Sequence, residues 1–202
     1  MKSRDTKFVV VEGLDRSGKS TLIDNLQERL EGNWIITQEP SKGPYGKLLR
    51  TQLAKDEEPS VSDLFLFLAD RYDHIKNTIE PAFENGDIDG IITDRYHLST
   101  LAYQSGVIEK QLNVKSGANY INTVTRNFHI YPDLTIILDV SVDESISRMD
   151  GQIDKYEDRE HLIQARNVYT DAEQRFHYTE MIDGDMSEKQ VTEAALDLID
   201  DI

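Results

Sequence analysis

Eight residues near the N-terminus, Gly13-Leu14-Asp15-Arg16-Ser17-Gly18-Lys19-Ser20, constrain this chain more than any other stretch. They match the phosphate-binding loop pattern G-x-x-x-x-G-K-[ST]. On one side stands Phe8-Val9-Val10-Val11, a continuous apolar run suited to a buried strand; on the other, Leu22, Leu26 and Leu30 recur at helical spacing. A strand, a glycine-rich loop and a helix in that order bring backbone N–H groups and a helix N-terminus against phosphate oxygens. Lys19 then reaches the β- and γ-phosphates of a nucleotide, and the Ser20 hydroxyl is placed to ligate Mg²⁺. The competing reading, a turn with an incidental lysine, leaves the flanking strand and helix unexplained.

The rest of the chain alternates β-branched runs with longer helical patterns, without repeats, low-complexity tracts or Pro/Gly/Ser linkers. That alternation predicts an α/β fold, a central parallel sheet with helices on both faces. Further strands are expected at Trp34-Ile35-Ile36-Thr37, Gly90-Ile91-Ile92-Thr93, Leu134-Thr135-Ile136-Ile137-Leu138 and, weakly, Glu180-Met181-Ile182. A helix is expected over Gly46 to Ala54. Ser60 with Asp63 forms a capping box opening a long helix that Pro81 kinks or splits. Helices follow near Ser99, between Ser116 and Phe128, over Asp143 to Met149, and at 158–176 and 188–201, the last capped by Ser187. Seven to nine helices result. Asp150 to Asp158 is polar and aperiodic, an expected exposed loop. The 202 residues suit one domain, 1–202, with a mobile segment at about 150–158.

Charge narrows the function classes. Twenty-two Lys and Arg against 38 Asp and Glu give a net −16, and no basic tail offsets it, so a sequence-independent grip on nucleic acid or an anionic membrane is excluded. The acidity is either a solvated shell or a docking face for a basic partner, and no stretch singles out the second. There is no cysteine, hence no disulfide framework, thiolate catalysis or Cys-based zinc site. Four apolar residues before Glu12 are too few for a signal peptide core, and the longest apolar run, Leu64 to Ala69, is far short of a membrane span. A cytoplasmic protein is the expectation. The five histidines, His74, His97, His129, His161 and His177, lack metal-ligand spacing.

Residues at strand ends extend the site, because open α/β sheets bind ligands outside the carboxyl ends of their strands. Asp94-Arg95-Tyr96 directly follows the strand at Ile91-Ile92-Thr93: Asp94 can hold a metal ion or its water, and Arg95 a phosphate oxygen, unless the two form only a structural ion pair. Glu39-Pro40 occupies the same place after the second strand. Arg71 lies four residues beyond Phe67 on the long helix, which sets a flat ring and a guanidinium on one face, the ring able to stack a base and the guanidinium to read a carbonyl or a phosphate. Taken alone, Phe67 would be an ordinary core residue.

In order and spacing, five blocks resemble the thymidylate kinases, P-loop nucleoside monophosphate kinases that move the γ-phosphoryl of ATP to dTMP. They are Val11 to Thr21; Thr37-Gln38-Glu39-Pro40; Leu64 to Arg71; Asp94-Arg95-Tyr96 with Ser99 and Ala102-Tyr103-Gln104; and Pro132 to Val140. The resemblance implies a P-loop NTPase fold with a five-stranded parallel sheet and a short lid. It implies that Gly13, Asp15, Arg16, Ser17, Gly18, Lys19, Ser20, Thr21 and Arg148 bind ATP, with Mg²⁺ on Ser20 and Asp94. For dTMP it implies Phe67 stacked on thymine, Arg71 at the base edge, Arg95 on the acceptor phosphate, Asp15 near the sugar 3′-hydroxyl and Arg50 on the monophosphate. Glu39, Pro40, Ser99, Tyr103 and Gln104 complete that pocket, and a homodimer through the long helices is implied.

Arg16 places the chain with members that carry a basic residue inside the phosphate loop. Asp154-Lys155-Tyr156-Glu157 resembles the lid motif D/E-R-Y/F-E with lysine for arginine, which puts Lys155 beside Arg16, Lys19, Asp94 and Arg95 as a catalytic candidate. Gln38 stands where many members have arginine, and Ser41-Lys42-Gly43 replaces a glycine-rich segment. Two other functions remain open on sequence: a thymidine kinase of related fold, whose members typically have Glu-Arg-Ser where this chain has Asp-Arg-Tyr, and a nucleotide-binding regulator that turns nothing over.

Overall fold

A computed structural model describes residues 5–55, 57–149, 156 and 158–202. Five parallel strands, β1 (Lys7–Gly13), β2 (Trp34–Gln38), β3 (Gly90–Asp94), β4 (Leu134–Asp139) and β5 (Thr179–Asp183), lie in the order β2-β3-β1-β4-β5. Among the described residues there are nine α-helices: α1 (Lys19–Arg29), α2 (Pro44–Leu53), α3 (Val61–His74), α4 (Glu80–Glu84), α5 (His97–Leu112), α6 (Gly117–Thr125), α7 (Val142–Ser147), α8 (Arg159–Arg175) and α9 (Glu188–Asp200).

The period-2 alternation of the strands divides the core. Val9 and Val11 of β1, with Leu134, Ile136 and Leu138 of β4, pack under α1 and α9 against Leu22, Leu26 and Ile199. Phe8 and Val10 face the other way, toward Ile75, Ile79 and Tyr96. The second face continues as a larger cluster that joins α3, α5, α6 and α8 through Leu64, Leu101, Ile108, Ile121 and Leu162. Burial on both faces explains why the central strands are continuous apolar runs.

Most expected elements are present, with differences that have physical causes. The strand expected at Phe8–Val11 extends through Glu12 to Gly13. The helix expected from Gly46 starts at Pro44, where a residue lacking an N–H fits the first turn. The capping box at Ser60 holds, its N–H donating to the Asp63 carboxylate at 2.9 Å. The expected break at Pro81 takes the form of a π-helical segment, Ile75–Ile79, between α3 and α4, in which the Glu80 N–H bonds the Ile75 carbonyl five residues back. A proline clashes with the carbonyl four residues before it, here Asn77, and the widened turn makes room.

One expectation is overturned. Tyr156 does not sit in an exposed loop: it is buried against Tyr103 at a ring distance of 6.3 Å and donates a hydrogen bond to Asp63 at 2.8 Å. Its neighbours 150–155 and 157, including Lys155, lie outside the described residues. No described helix is long and apolar enough to cross a membrane.

Candidate active site

The carboxyl ends of β1, β3, β4 and β5 open on a groove of about 660 Å³, lined by Asp15 to Thr21, Asp94, Arg95 and Arg148. The sequence-derived ATP and metal residues thus converge, with Gly13 just beneath. Gly13 (φ 138°) and Gly18 (φ 100°) take backbone angles that side chains resist, and a Cβ at Gly13 would stand 2.5 Å from the Leu138 carbonyl oxygen. Arg16 adopts φ 61° at the exposed rim, a conformation costing a non-glycine residue roughly 1–2 kcal/mol.

Lys19 is buried, and its ammonium donates to the carbonyls of Leu14 at 2.7 Å and Gly13 at 3.2 Å. Burial, and then the neighbouring Arg95, lower its pKa to about 8, against the pull of Asp15 and Asp94. Arg148 is braced over the loop by Glu144 at 2.7 Å and Asp185 at 3.4 Å, and it reaches the Arg16 carbonyl at 3.3 Å.

The sequence did not single out the far wall of this groove, formed by Gly184, Met186, Glu188, Val191 and Thr192. Gly184 lets the turn after β5 close on the loop: its N–H bonds the Asp139 carbonyl at 2.8 Å, and a Cβ there would stand 2.6 Å from Val140. Asn25 ties α1 to this wall through Thr192 at 3.1 Å. The signal available was the turn between a weak strand and a Ser187-capped helix.

Arg95 links the two halves of the site. It too has a positive φ, 67°. Its Nη2 donates to Asp15 at 2.6 Å, its Nη1 to Ser99 at 3.0 Å, and its guanidinium lies 5.4 Å from the centre of the Tyr103 ring. Tyr103 in turn donates to Asp15 at 3.0 Å. Burial alone would raise the Asp15 carboxyl, but Arg95 and Lys19 outweigh it and hold the pKa below its ordinary value. One Asp94 oxygen, Oδ1, is buried with no hydrogen-bond partner among the described residues.

A second network lies under α3. The Arg71 Nε and Nη2 donate to Glu39 Oε2 at 2.9 and 2.6 Å, and Nη2 also reaches Thr100 on α5 at 2.9 Å. The other Glu39 oxygen meets His74 at 3.0 Å, and His74 meets Thr37 at 2.8 Å. His74, read from sequence as unremarkable, is therefore the second brace of Glu39. Burial opposes ionisation of Glu39, yet Arg71 and His74 bring its pKa below the ordinary carboxylate value. Arg71 is fully used on this side, but its Nη1 is buried without a hydrogen-bond partner among the described residues, and so are both amide atoms of Gln104, one helical turn beyond Thr100. Phe67 is half-buried and, unlike Leu64 and Leu68 beside it, joins none of the core clusters. Arg50 caps the Pro40 and Ser41 carbonyls, each at 2.6 Å.

The missed centre is Glu12, the last polar residue before the loop. It is fully buried, and its carboxylate accepts from the N–H groups of Tyr96 (2.9 Å) and Ser99 (3.1 Å) and from the hydroxyls of Ser99 (2.6 Å) and Tyr169 (3.2 Å). Burial raises its pKa more than Ser99 and Arg95 lower it.

Sheet order, loop geometry and a cation-rich groove at the strand ends define a nucleotide-binding protein of the P-loop α/β class. Comparison with known proteins narrows this. The thymidylate kinase family model matches residues 11–195, and the chain belongs to that family. It is 39% identical over 160 residues to a thymidylate kinase of Chlamydia caviae, covering 75% of each chain, and 41% identical over 166 residues to a probable thymidylate kinase of Pyrobaculum aerophilum, covering 80% of each. Its structure is similar to the crystal structure of a thymidylate kinase from Ehrlichia chaffeensis, with TM-score 0.73, 26% identity and coverage of 96% and 98% of the two chains.

Proposed function

We propose that this chain transfers the γ-phosphoryl of ATP to dTMP, giving ADP and dTDP, a step that supplies dTTP for DNA synthesis. The observation that carries the acceptor is the set of buried polar atoms lacking protein partners, Arg71 Nη1 and the Gln104 amide, on the helices that also carry Phe67 and Tyr103. Such groups are costly unless a ligand satisfies them. Thymine fits: its O4 accepts from a guanidinium and its N3–H and carbonyls suit an amide, while the half-buried Phe67 ring offers a stacking face. Cytosine presents an amino group where Arg71 also donates.

The acceptor oxygen is already anionic, so the protein's work is positioning and charge neutralisation. Lys19 and Arg16 neutralise the donor phosphates; Arg95, locked to Asp15, holds the acceptor phosphate beside them; Arg50, Ser99, Glu39 and Pro40 complete the acceptor wall. Arg16 serves in the loop the role that other members give to lid arginines, with Lys155 assisting. The unpartnered Asp94 Oδ1 and the Ser20 hydroxyl are hard oxygen donors that fit Mg²⁺. A divalent cation held by these two residues would supply neutralisation of the charge on the transferring phosphoryl group.

A panel of monophosphates with ATP and Mg²⁺ tests this reading. dTMP should be the best acceptor. dUMP, lacking one methyl, should lose roughly tenfold in kcat/KM, and dCMP about 10³-fold or more because its donor pattern is wrong. Turnover of thymidine with none of dTMP would instead establish a nucleoside kinase, and ATP binding without any product a regulator.

The same reading includes a homodimer. Exposed Phe65 and Tyr72 on α3 and Leu112 on α5 supply apolar surface for it. Sedimentation should give about twice the 23.1 kDa chain mass, and a monomer would overturn it.

A further inference from the structure

We propose that Glu12 is the positioning residue for Arg95, setting both its backbone conformation and the direction of its guanidinium. The inference rests on the phosphoryl-transfer reading for its consequence in rate, and on geometry alone for the positioning itself.

The backbone limb comes first. Arg95 stands at the end of β3 with a left-handed φ that its side chain disfavours, so neighbouring groups must hold it there. Two consecutive residues of β1 do so: the Val11 carbonyl accepts from the Arg95 N–H at 2.9 Å, and Glu12 Oε1 accepts from the Tyr96 N–H at 2.9 Å. The same oxygen takes the Ser99 N–H at 3.1 Å, which fixes the first turn of α5 against β1. The side-chain limb uses the other oxygen. Glu12 Oε2 accepts the Ser99 hydroxyl at 2.6 Å and the Tyr169 hydroxyl at 3.2 Å. The two hydroxyls lie 3.0 Å apart, and Arg95 Nη1 donates to their oxygens at 3.0 and 3.5 Å; an acceptor-only carboxylate on their far side favours both protons pointing toward it and leaves lone pairs for the guanidinium. Glu12 thus acts on the guanidinium through the orientation of two hydroxyls. It is not itself a catalytic residue, since its carboxylate is fully buried behind them.

Glu12→Gln separates the limbs. The glutamine carbonyl still accepts the Tyr96 and Ser99 N–H groups, so the strand, turn and helix cap persist. Its NH₂ donates where a carboxylate accepted, so the hydroxyls must reverse and compete with Arg95 Nη1. The expected result is a kcat at least tenfold below the parent, KM for ATP changed less than threefold because the hydrogen bonds of Glu12 go to Tyr96, Ser99 and Tyr169 rather than to Lys19, Arg16 or Arg148, and a melting temperature within a few degrees of the parent. ¹⁵N NMR of the Arg95 side chain gives a second reading independent of turnover: separate Nη signals in the parent, averaged by rotation in Glu12→Gln. A kcat within twofold of the parent with unchanged Arg95 signals overturns the proposal. So does a collapse in melting temperature in which kcat and KM for ATP worsen together, the mark of a purely structural residue. If the parent makes no ADP with dTMP, the reading of the reaction falls while the Arg95 signals still decide the positioning.

Discussion

Lys19→Ala should lower kcat for ADP formation from ATP and dTMP by about 10²–10³-fold, the usual loss when one preorganised donor to a transition-state charge is removed, about 3–4 kcal/mol. The fold should survive, because two terms offset each other. The ammonium is desolvated at a cost, but it also ties the loop through its bonds to the Gly13 and Leu14 carbonyls. Its pKa of about 8 adds a pH signature. The protonated form binds phosphate, so KM for ATP in the parent should rise as pH goes from 7 to 9, as binding must then recruit a proton. In Lys19→Ala that rise should be absent. Stability has the opposite sign. Between about 8 and the unfolded lysine value near 10.4, the unfolded chain holds more protons than the folded one, so this group makes folding more favourable as pH rises through that window. Initial rates and thermal melts across pH 7–10 check both. A variant within tenfold of the parent in kcat, or one with the same pH-dependent KM for ATP, would remove Lys19 from the mechanism.

What the sequence revealed about this site follows the range of the interactions involved. The phosphate loop is local: glycine spacing, an apolar strand and a helical leucine stripe sit within about twenty residues, and the structure assembles the groove around them as expected. The placement of Asp94 and Arg95 at the groove could be read from their position directly after an apolar strand, and the structure sets both in its lining. Phe67 and Arg71 were legible as a pair at helical spacing, but the sequence could not show that Arg71 turns one side to Glu39, because the partner lies 32 residues away across a strand end. Glu12 was hidden for the same reason. Its four donors come from residues 84 to 157 positions distant, and locally it looks like the polar end of a strand. Tyr156 was misjudged because its surroundings in sequence are charged, whereas its burial is decided by Asp63 and Tyr103 on other helices. Pro81 announced a break, but the π-helical segment that accommodates it lies one turn upstream, where the steric conflict falls.

Arg71→Leu should be the most destabilising single change considered, and it should weaken dTMP at the same time. The leucine leaves Glu39 buried, about 4% of its side chain exposed, with the hydrogen bond from His74 but without its guanidinium counterion. Breaking a buried pair from one side costs about 3–5 kcal/mol, roughly 10 °C in melting temperature for a chain of this length. The pH dependence should change with it. In the parent the folded pKa of Glu39 is depressed, so its ion pair contributes stability above the ordinary glutamate value, and that contribution is lost as pH falls through the lower, folded value. In Arg71→Leu the depression should vanish, and acid should no longer remove that increment. Adding Glu39→Gln to Arg71→Leu relieves the unpaired charge, so the double variant should recover most of the melting temperature. It should not recover the acceptor: with Arg71 Nη1 gone, KM for dTMP should stay elevated by at least tenfold while KM for ATP remains near the parent's. Recovery of stability without recovery of dTMP binding is the pattern expected if Arg71 has one face for the fold and one for the base. If the double variant regains both, Arg71 is only the counterion of Glu39, and base reading must rest on Gln104 and Phe67.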